Sequence, residues 1–164
     1  MDIIHTYNPH NWYRPTKEAN IVQIGRDSVT LVPARIKQFD GKPIQAWKKA
    51  KIKTGRGKYS SYRQCIVELL IPARAVRFQP LNKKCRASSA HVIAIYDIVS
   101  DAQFGIKQLG AKTKRRVAYS KHDRLFKYIV GKKVKPTNRF DKNHREECAT
   151  GIHFFLTAKE AANY

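Results

Sequence analysis

Apolar residues in this chain come in short runs or strict alternation, and fall at helical spacing only near the C-terminus. Asn20-Ile21-Val22-Gln23-Ile24 and Val29-Thr30-Leu31-Val32 flank Gly25-Arg26-Asp27-Ser28, a pattern that predicts a hairpin. Ile44 to Trp47 reads as a strand. Cys65 to Ile71 is a nearly continuous apolar strand stopped by Pro72, and Ala90 to Tyr96 is another. Arg74 to Phe78 alternates charged and apolar side chains as an edge strand does, and Leu125 to Val130 predicts a further strand closed by Gly131. Ser100 to Gln103 can start a short helix. Gly151-Ile152-His153-Phe154-Phe155-Leu156 predicts a buried strand, with Ile152 and Phe154 on one face and His153 and Phe155 on the other. Thr157 then stands at an N-cap, Glu160 completes a capping box, and Ala161, Ala162 and Tyr164 carry a short helix that can fold back on the sheet. The fold class that follows is mainly β: a compact sandwich or irregular barrel of short strands with a short C-terminal helix.

Length changes this picture little, because 164 residues suit one domain with a real core. Residues 1–18 are polar and aromatic, and Pro9 and Pro15 block a helix, so an extended arm is expected. Trp12, Tyr13 and Arg14 are its docking residues. The division expected is an arm and hairpin over 1–39 and a β-rich body over 40–164, together one compact unit.

Charge changes the picture most. The chain has 33 Lys and Arg against 12 Asp and Glu, a formal +21. A polyanion or an acidic partner surface would offset that self-repulsion. Lys48, Lys49, Lys51, Lys53, Arg56 and Lys58 crowd around Gly55 and Gly57 and read as a mobile basic loop. Arg63 follows, with Tyr59 and Tyr62 interleaved and no acid between. Lys112, Lys114, Arg115 and Arg116 form a second basic segment. Lys and Arg neutralise phosphates and tyrosines stack on bases, yet no helix-turn-helix, zinc finger or RNP aromatic pattern is present. Backbone contact with little sequence choice is the expectation if nucleic acid is bound.

Cys65, Cys85 and Cys148 are odd in number and widely spaced, which does not make a disulfide framework and fits synthesis in a reducing compartment. The start carries no signal-peptide pattern, and no apolar run reaches the roughly 18 residues of a spanning helix.

Four blocks occur in order in the body: Ile71-Pro72-Ala73-Arg74-Ala75-Val76-Arg77, Lys84-Cys85-Arg86-Ala87-Ser88-Ser89-Ala90-His91-Val92, Tyr128-Ile129-Val130-Gly131-Lys132, and Cys148-Ala149-Thr150-Gly151-Ile152-His153-Phe154-Phe155. Together they resemble an uncharacterised domain family of large DNA viruses, phages and some bacteria, often found beside pentapeptide repeats, with a C-terminal Gly-Ile-His-Phe-Phe signature. The resemblance runs from about Asp40 to Tyr164 and implies a viral setting and no particular chemistry. This chain departs from the family in the extra Lys and Arg of its loops and carries no pentapeptide repeat.

Other constellations weigh less. Cys85, His91, Cys148 and His153 could gather around a metal, but Cys-x5-His and Cys-x4-His are not zinc spacings, and buried small hydrophobes are the expectation. His153 reads as a core histidine; a catalytic role would need Asp123, Asp141 or Cys148 within reach. Glu146-Glu147 reads as a salt-bridge pair for Arg145 or Arg139. Gly55-Arg56-Gly57-Lys58 lacks the spacing of a phosphate loop. No catalytic residue, metal or cofactor is therefore expected. The function expected is a non-enzymatic structural protein of a large DNA virus. Such a minor capsid or cementing protein would sit in the virion, after synthesis in the host cytoplasm or nucleus, and bridge acidic capsid proteins or the genome. The alternative is a sequence-nonspecific nucleic-acid-binding protein.

Overall fold

The computed structural model describes residues 42–78, 84–142 and 149–164, with the backbone of 21–24 and 28–31. β1 (Ile21–Ile24) and β2 (Ser28–Leu31) form the expected antiparallel hairpin, Ile21 opposite Leu31. β3 (Ile44–Thr54) and β4 (Ser61–Ile71) are 11 residues each and pair antiparallel from Ile44↔Ile71 to Thr54↔Ser61. β5 (Arg77–Phe78), β6 (Cys85–Ala87), β7 (Ala90–Ser100) and β8 (Lys107–Lys112) follow. The chain continues with β9 (Val117–Tyr119), β10 (Lys127–Ile129), β11 (Lys133–Val134), β12 (Ile152–Phe154) and the helix α1 (Ala158–Asn163).

The expectation of a loop from Lys48 to Lys58 is corrected. Strand β3 runs on through Thr54, and β4 starts at Ser61, so the turn holds 55–60 alone. The reason lies in the sequence: Lys49, Lys51 and Lys53 alternate with Ala50 and Ile52, a period-two pattern that buries one face and lets the lysine stems line the other. The helix start at Ser100 is corrected as well. The Asp101 carboxylate accepts from the amides of Gln103 (2.8 Å) and Phe104 (3.3 Å), closing a side-chain turn between β7 and β8. The strand expected at Leu125 to Val130 shortens to β10, because the Asp123 carboxylate takes the Leu125 amide into a turn at 2.9 Å.

Seven strands make one sheet in the order β10-β9-β3-β4-β7-β11, with β8 also on β7. β10 and β11 stand at opposite ends of that order, yet 130–132 alone join them. Such a link reaches at most about 14 Å, so the sheet must roll until its ends approach. Gly131 N donates to Val92 O at 2.8 Å and Val92 N to Lys132 O at 3.0 Å across that closure. Among the described residues no ladder joins β10 to β11, so the irregular-barrel alternative gives way to an open roll.

The inner face of the roll carries Ala46, Ala50 and Ile52 from β3, Cys65, Val67 and Leu69 from β4, and Ile95, Ala118 and Tyr128. A second sheet, in the order β12-β6-β5, covers this face with Cys85, Ala87, Ile152 and Phe154. The mainly β, sandwich-like reading therefore holds. β5 is an edge strand as expected, but Arg77 on it is fully buried and donates to Lys42 O at 3.1 Å. Arg86 is buried too. Its guanidinium lies 5.5 Å from the Phe78 ring centroid and 5.3 Å from that of Phe140, and donates to Asp141 O (2.9 Å) and Thr150 O (3.2 Å). On the outer face α1 lays Ala161 and Ala162 over Ile66, Phe155, Trp47 and Tyr96. The Thr157 hydroxyl accepts from Glu160 N at 3.2 Å, the N-cap expected from the sequence. Among the described residues no helix is long and apolar enough to cross a membrane.

Candidate polyanion-binding site

Strand alternation decides where each lysine of β3 points. Lys51 is opposite Gln64 on β4 and Tyr119 on β9, and Lys53 is opposite Tyr62, so these side chains share the outer face. Lys127 is opposite Tyr119 and joins them, its ammonium 5.9 Å from the Tyr119 ring centroid. The Tyr62 and Tyr119 rings meet edge to face at 5.6 Å. Lys53, Tyr62, Gln64 and Lys127 are exposed, and Lys51 and Tyr119 are half-buried. This patch lies toward the hairpin tip, where Arg56 and Lys58 are also exposed. Two positive-φ glycines shape that tip. Gly55 (φ +74) leaves no room for a Cβ, which would sit 2.7 Å from Tyr59 O, whereas Gly57 (φ +57) meets open space. A strand follows the tip, so Gly55-Arg56-Gly57-Lys58 is a turn and not the entry to a phosphate-binding helix.

Lys48 points the other way. Its position puts it on the inner face between Ala46 and Ala50, but at the edge of β3. There β3 pairs with Phe155 at Trp47 and with Tyr119 at Lys51, and between those points the edge opens onto a cavity of about 530 Å³. Lys48 Nζ donates to His153 O at 3.0 Å and lies 5.9 Å from the centroid of the buried Tyr128 ring. Burial, and then the nearby Lys84 ammonium, push the Lys48 pKa down to about 8. Lys84, Lys121 and His122 line the same cavity, with Asp123 as its one acidic side chain among the described residues. The His122 pKa is lowered by burial first and then by the positive charges of Lys48, Lys121, Lys84 and Lys51. Lys84 Nζ donates to the Tyr164 hydroxyl at 3.0 Å, and Lys49 Nζ reaches Tyr164 O at 3.5 Å.

The structure thus divides the first basic segment. Lys51 and Lys53 lie on the outer face, Arg56 and Lys58 at the tip, Lys48 in the cavity, and Lys49 buried beneath the C-terminal residues. Arg63 points to the inner side at the open end and pairs with Asp97 at 2.8 Å. The second segment is split: Lys112 is apart from the first, whereas Lys114, Arg115 and Arg116 lead into β9, the strand that pairs with β3. Lys112 ends β8, three strand positions from β3 and therefore about 14 Å away. Lys114, Arg115 and Arg116 are exposed in the connection from β8 to β9, where Arg116 donates to Val130 O at 3.4 Å. Trp12, Tyr13 and Arg14 of the arm, Glu146-Glu147 and Cys148 lie outside the described residues.

His153 is half-buried on the cavity wall rather than enclosed in the core, and its main-chain oxygen anchors Lys48. Cys65 and Cys85 are core residues, and burial pushes the Cys65 thiol up to about 12. Among the described residues no three His, Cys, Asp or Glu side chains gather as metal ligands. Sequence reasoning missed Lys121, His122 and Tyr119. The signal available was Ser120-Lys121-His122-Asp123, a turn whose Ser120 hydroxyl accepts from His122 N (3.3 Å) and Asp123 N (3.4 Å).

The comparisons with known proteins bear on this arrangement. A family model described as a family of unknown function, DUF5758, matches residues 34–161. The chain belongs to this family. That match spans β3 to most of α1, so both the outer patch and the cavity are built on the DUF5758 domain. The chain is similar to two uncharacterised proteins of Acanthamoeba polyphaga mimivirus. It is 34% identical to L223 over 62% of this chain, and 26% identical to L227 over 64%. Each match spans 62% of the relative's own length. These relatives are viral, as the resemblance of the four blocks implied. No solved structure matches the chain.

Proposed function

We propose that this DUF5758 protein is a non-enzymatic viral protein that binds single-stranded nucleic acid, without sequence preference, on the outer face of its rolled sheet. One observation carries the reading: Lys51, Lys53 and Lys127 surround the Tyr62–Tyr119 pair on a face that α1 leaves open. Lysines spaced across neighbouring strands can track a phosphate backbone, and an exposed ring accepts any base on its face. Among the described residues no helix presents itself to a groove, which fits backbone contact.

Fluorescence anisotropy with a 5′-hydroxyl single-stranded oligonucleotide tests this. Tyr62→Ala should weaken binding about tenfold, in line with roughly 1–3 kcal/mol per stacked base. Lys53→Glu and Lys127→Glu should each weaken it and flatten the log–log salt slope by about one. Unchanged affinity and slope in all three variants would remove the reading. A minor capsid or cementing role between acidic capsid surfaces would use the same lysines and rests on charge alone. Recovery of the chain in purified particles, with oligonucleotide binding lost at physiological salt, would favour that role instead.

A further inference from the structure

We propose that the cavity at the edge of β3 is a distinct binding site for a small phosphate monoester, with Lys48 as its central cation. The site does not depend on the outer-face reading, because Lys48 points to the opposite side of β3 from Lys51 and Lys53. Its first support is position. An inner-face place between Ala46 and Ala50 suits an apolar side chain, yet it holds an ammonium bonded to His153 O and stacked toward Tyr128. Among the described residues no carboxylate pairs with Lys48, and the charge that acts on it is another cation, Lys84. A half-buried cation with no carboxylate partner among the described residues is an arrangement that a bound dianion would relieve.

The walls specify the ligand further. Lys84 and Lys121 add donors and positive charge, the His122 imidazole can add a donor, and Ser120 and Thr150 add polar side chains of the kind that bind phosphate oxygens. Phe126, Phe155 and Tyr164 supply apolar wall for the rest of the molecule. A cavity of about 530 Å³ lies in the size range of ordinary small-ligand sites. A nucleoside 5′-monophosphate has the right size and the right charge at one end. The same group occurs at the 5′ end of a nucleic acid strand, and the mouth of the cavity is open to either source.

Isothermal titration with AMP and with adenosine tests the site, and the 5′-phosphorylated and 5′-hydroxyl forms of one oligonucleotide separate the sources. AMP should bind at least tenfold more tightly than adenosine. Lys48→Met and Lys84→Gln should each reduce AMP binding at least fivefold while leaving 5′-hydroxyl oligonucleotide binding intact. Lys53→Glu and Tyr62→Ala should do the reverse. A gain for the 5′-phosphorylated strand with AMP binding as well assigns both sources; a gain for the strand alone assigns the nucleic acid end. Equal binding of AMP and adenosine with no gain from the 5′-phosphate, or AMP binding unaltered in folded Lys48→Met and Lys84→Gln, overturns the proposal. Failure of the outer-face variants leaves this result readable, since those residues do not line the cavity.

Discussion

Lys48 carries the sharpest consequence at the scale of single residues. Its pKa in the fold, about 8, lies below the ordinary 10.5, so folding is penalised wherever both states hold the proton, below about pH 8. The penalty fades as the folded state sheds its proton above that value, and vanishes once the unfolded chain titrates near 10.5. Stability attributable to Lys48 therefore rises with pH across that window. Lys48→Met should be more stable than the unmodified chain at neutral pH by urea denaturation, with the difference shrinking toward pH 10. Taking the difference isolates Lys48 from Lys49, whose pKa is also lowered, by burial and then by Lys107 and Lys121. The charge acting on Lys48 is that of Lys84; Lys121, Asp123 and the neutral His122 line the same cavity, and the main-chain oxygen of His153 and the Tyr128 ring contact the ammonium. A stabilising Lys48→Met that also loses AMP binding would place the residue among those kept for function at a cost in stability.

At the scale of elements the β3–β4 hairpin matters most, because it carries the outer patch and one wall of the cavity. Its tip depends on Gly55, whose positive φ and close approach to Tyr59 O exclude a side chain. Gly55→Ala should destabilise the protein by about 1–2 kcal/mol from the left-handed backbone alone, and by more once the clash is added. Gly57→Asn should be nearly neutral, since asparagine tolerates positive φ and the space there is open. Urea midpoints of the two variants check the contrast. The sequence reading placed the glycines in a turn correctly but spread that turn back to Lys48. Ala50 and Ile52 were the correction available: two apolar residues alternating with lysines are the mark of a half-buried strand. By contrast, the strand and helix at the C-terminus were legible from Thr157, Ala161 and Ala162, because capping and helix burial are local effects.

For the whole molecule, the formal +21 makes self-repulsion a term in stability itself. Raising salt from about 10 mM to about 150 mM shortens the screening length from roughly 30 Å to 8 Å. The thermal midpoint should accordingly rise by several degrees over that range, measured by scanning calorimetry. A midpoint that falls with salt would show that attractive ion pairs outweigh the repulsion. Rolling the sheet also sorts these charges, leaving Lys51, Lys53 and Lys127 outside while Lys48 turns inward.

Much about this protein was determined by sequence alone. Period-two alternation, turn residues and the Thr157 cap specify a β-rich chain with a short terminal helix, because these are short-range preferences of neighbouring residues. The ordered blocks likewise marked an uncharacterised family with viral members. What tertiary structure decided was the side of the sheet on which each charge falls and which distant segments meet. Tyr119 and Lys127 join Lys51 and Lys53 through strand pairing, and Lys84, Lys121 and His153 join Lys48 at the edge of β3. No local pattern encodes such meetings. They follow from pairing between strands far apart in sequence, while the three-residue link between β10 and β11 draws the far ends of the sheet together.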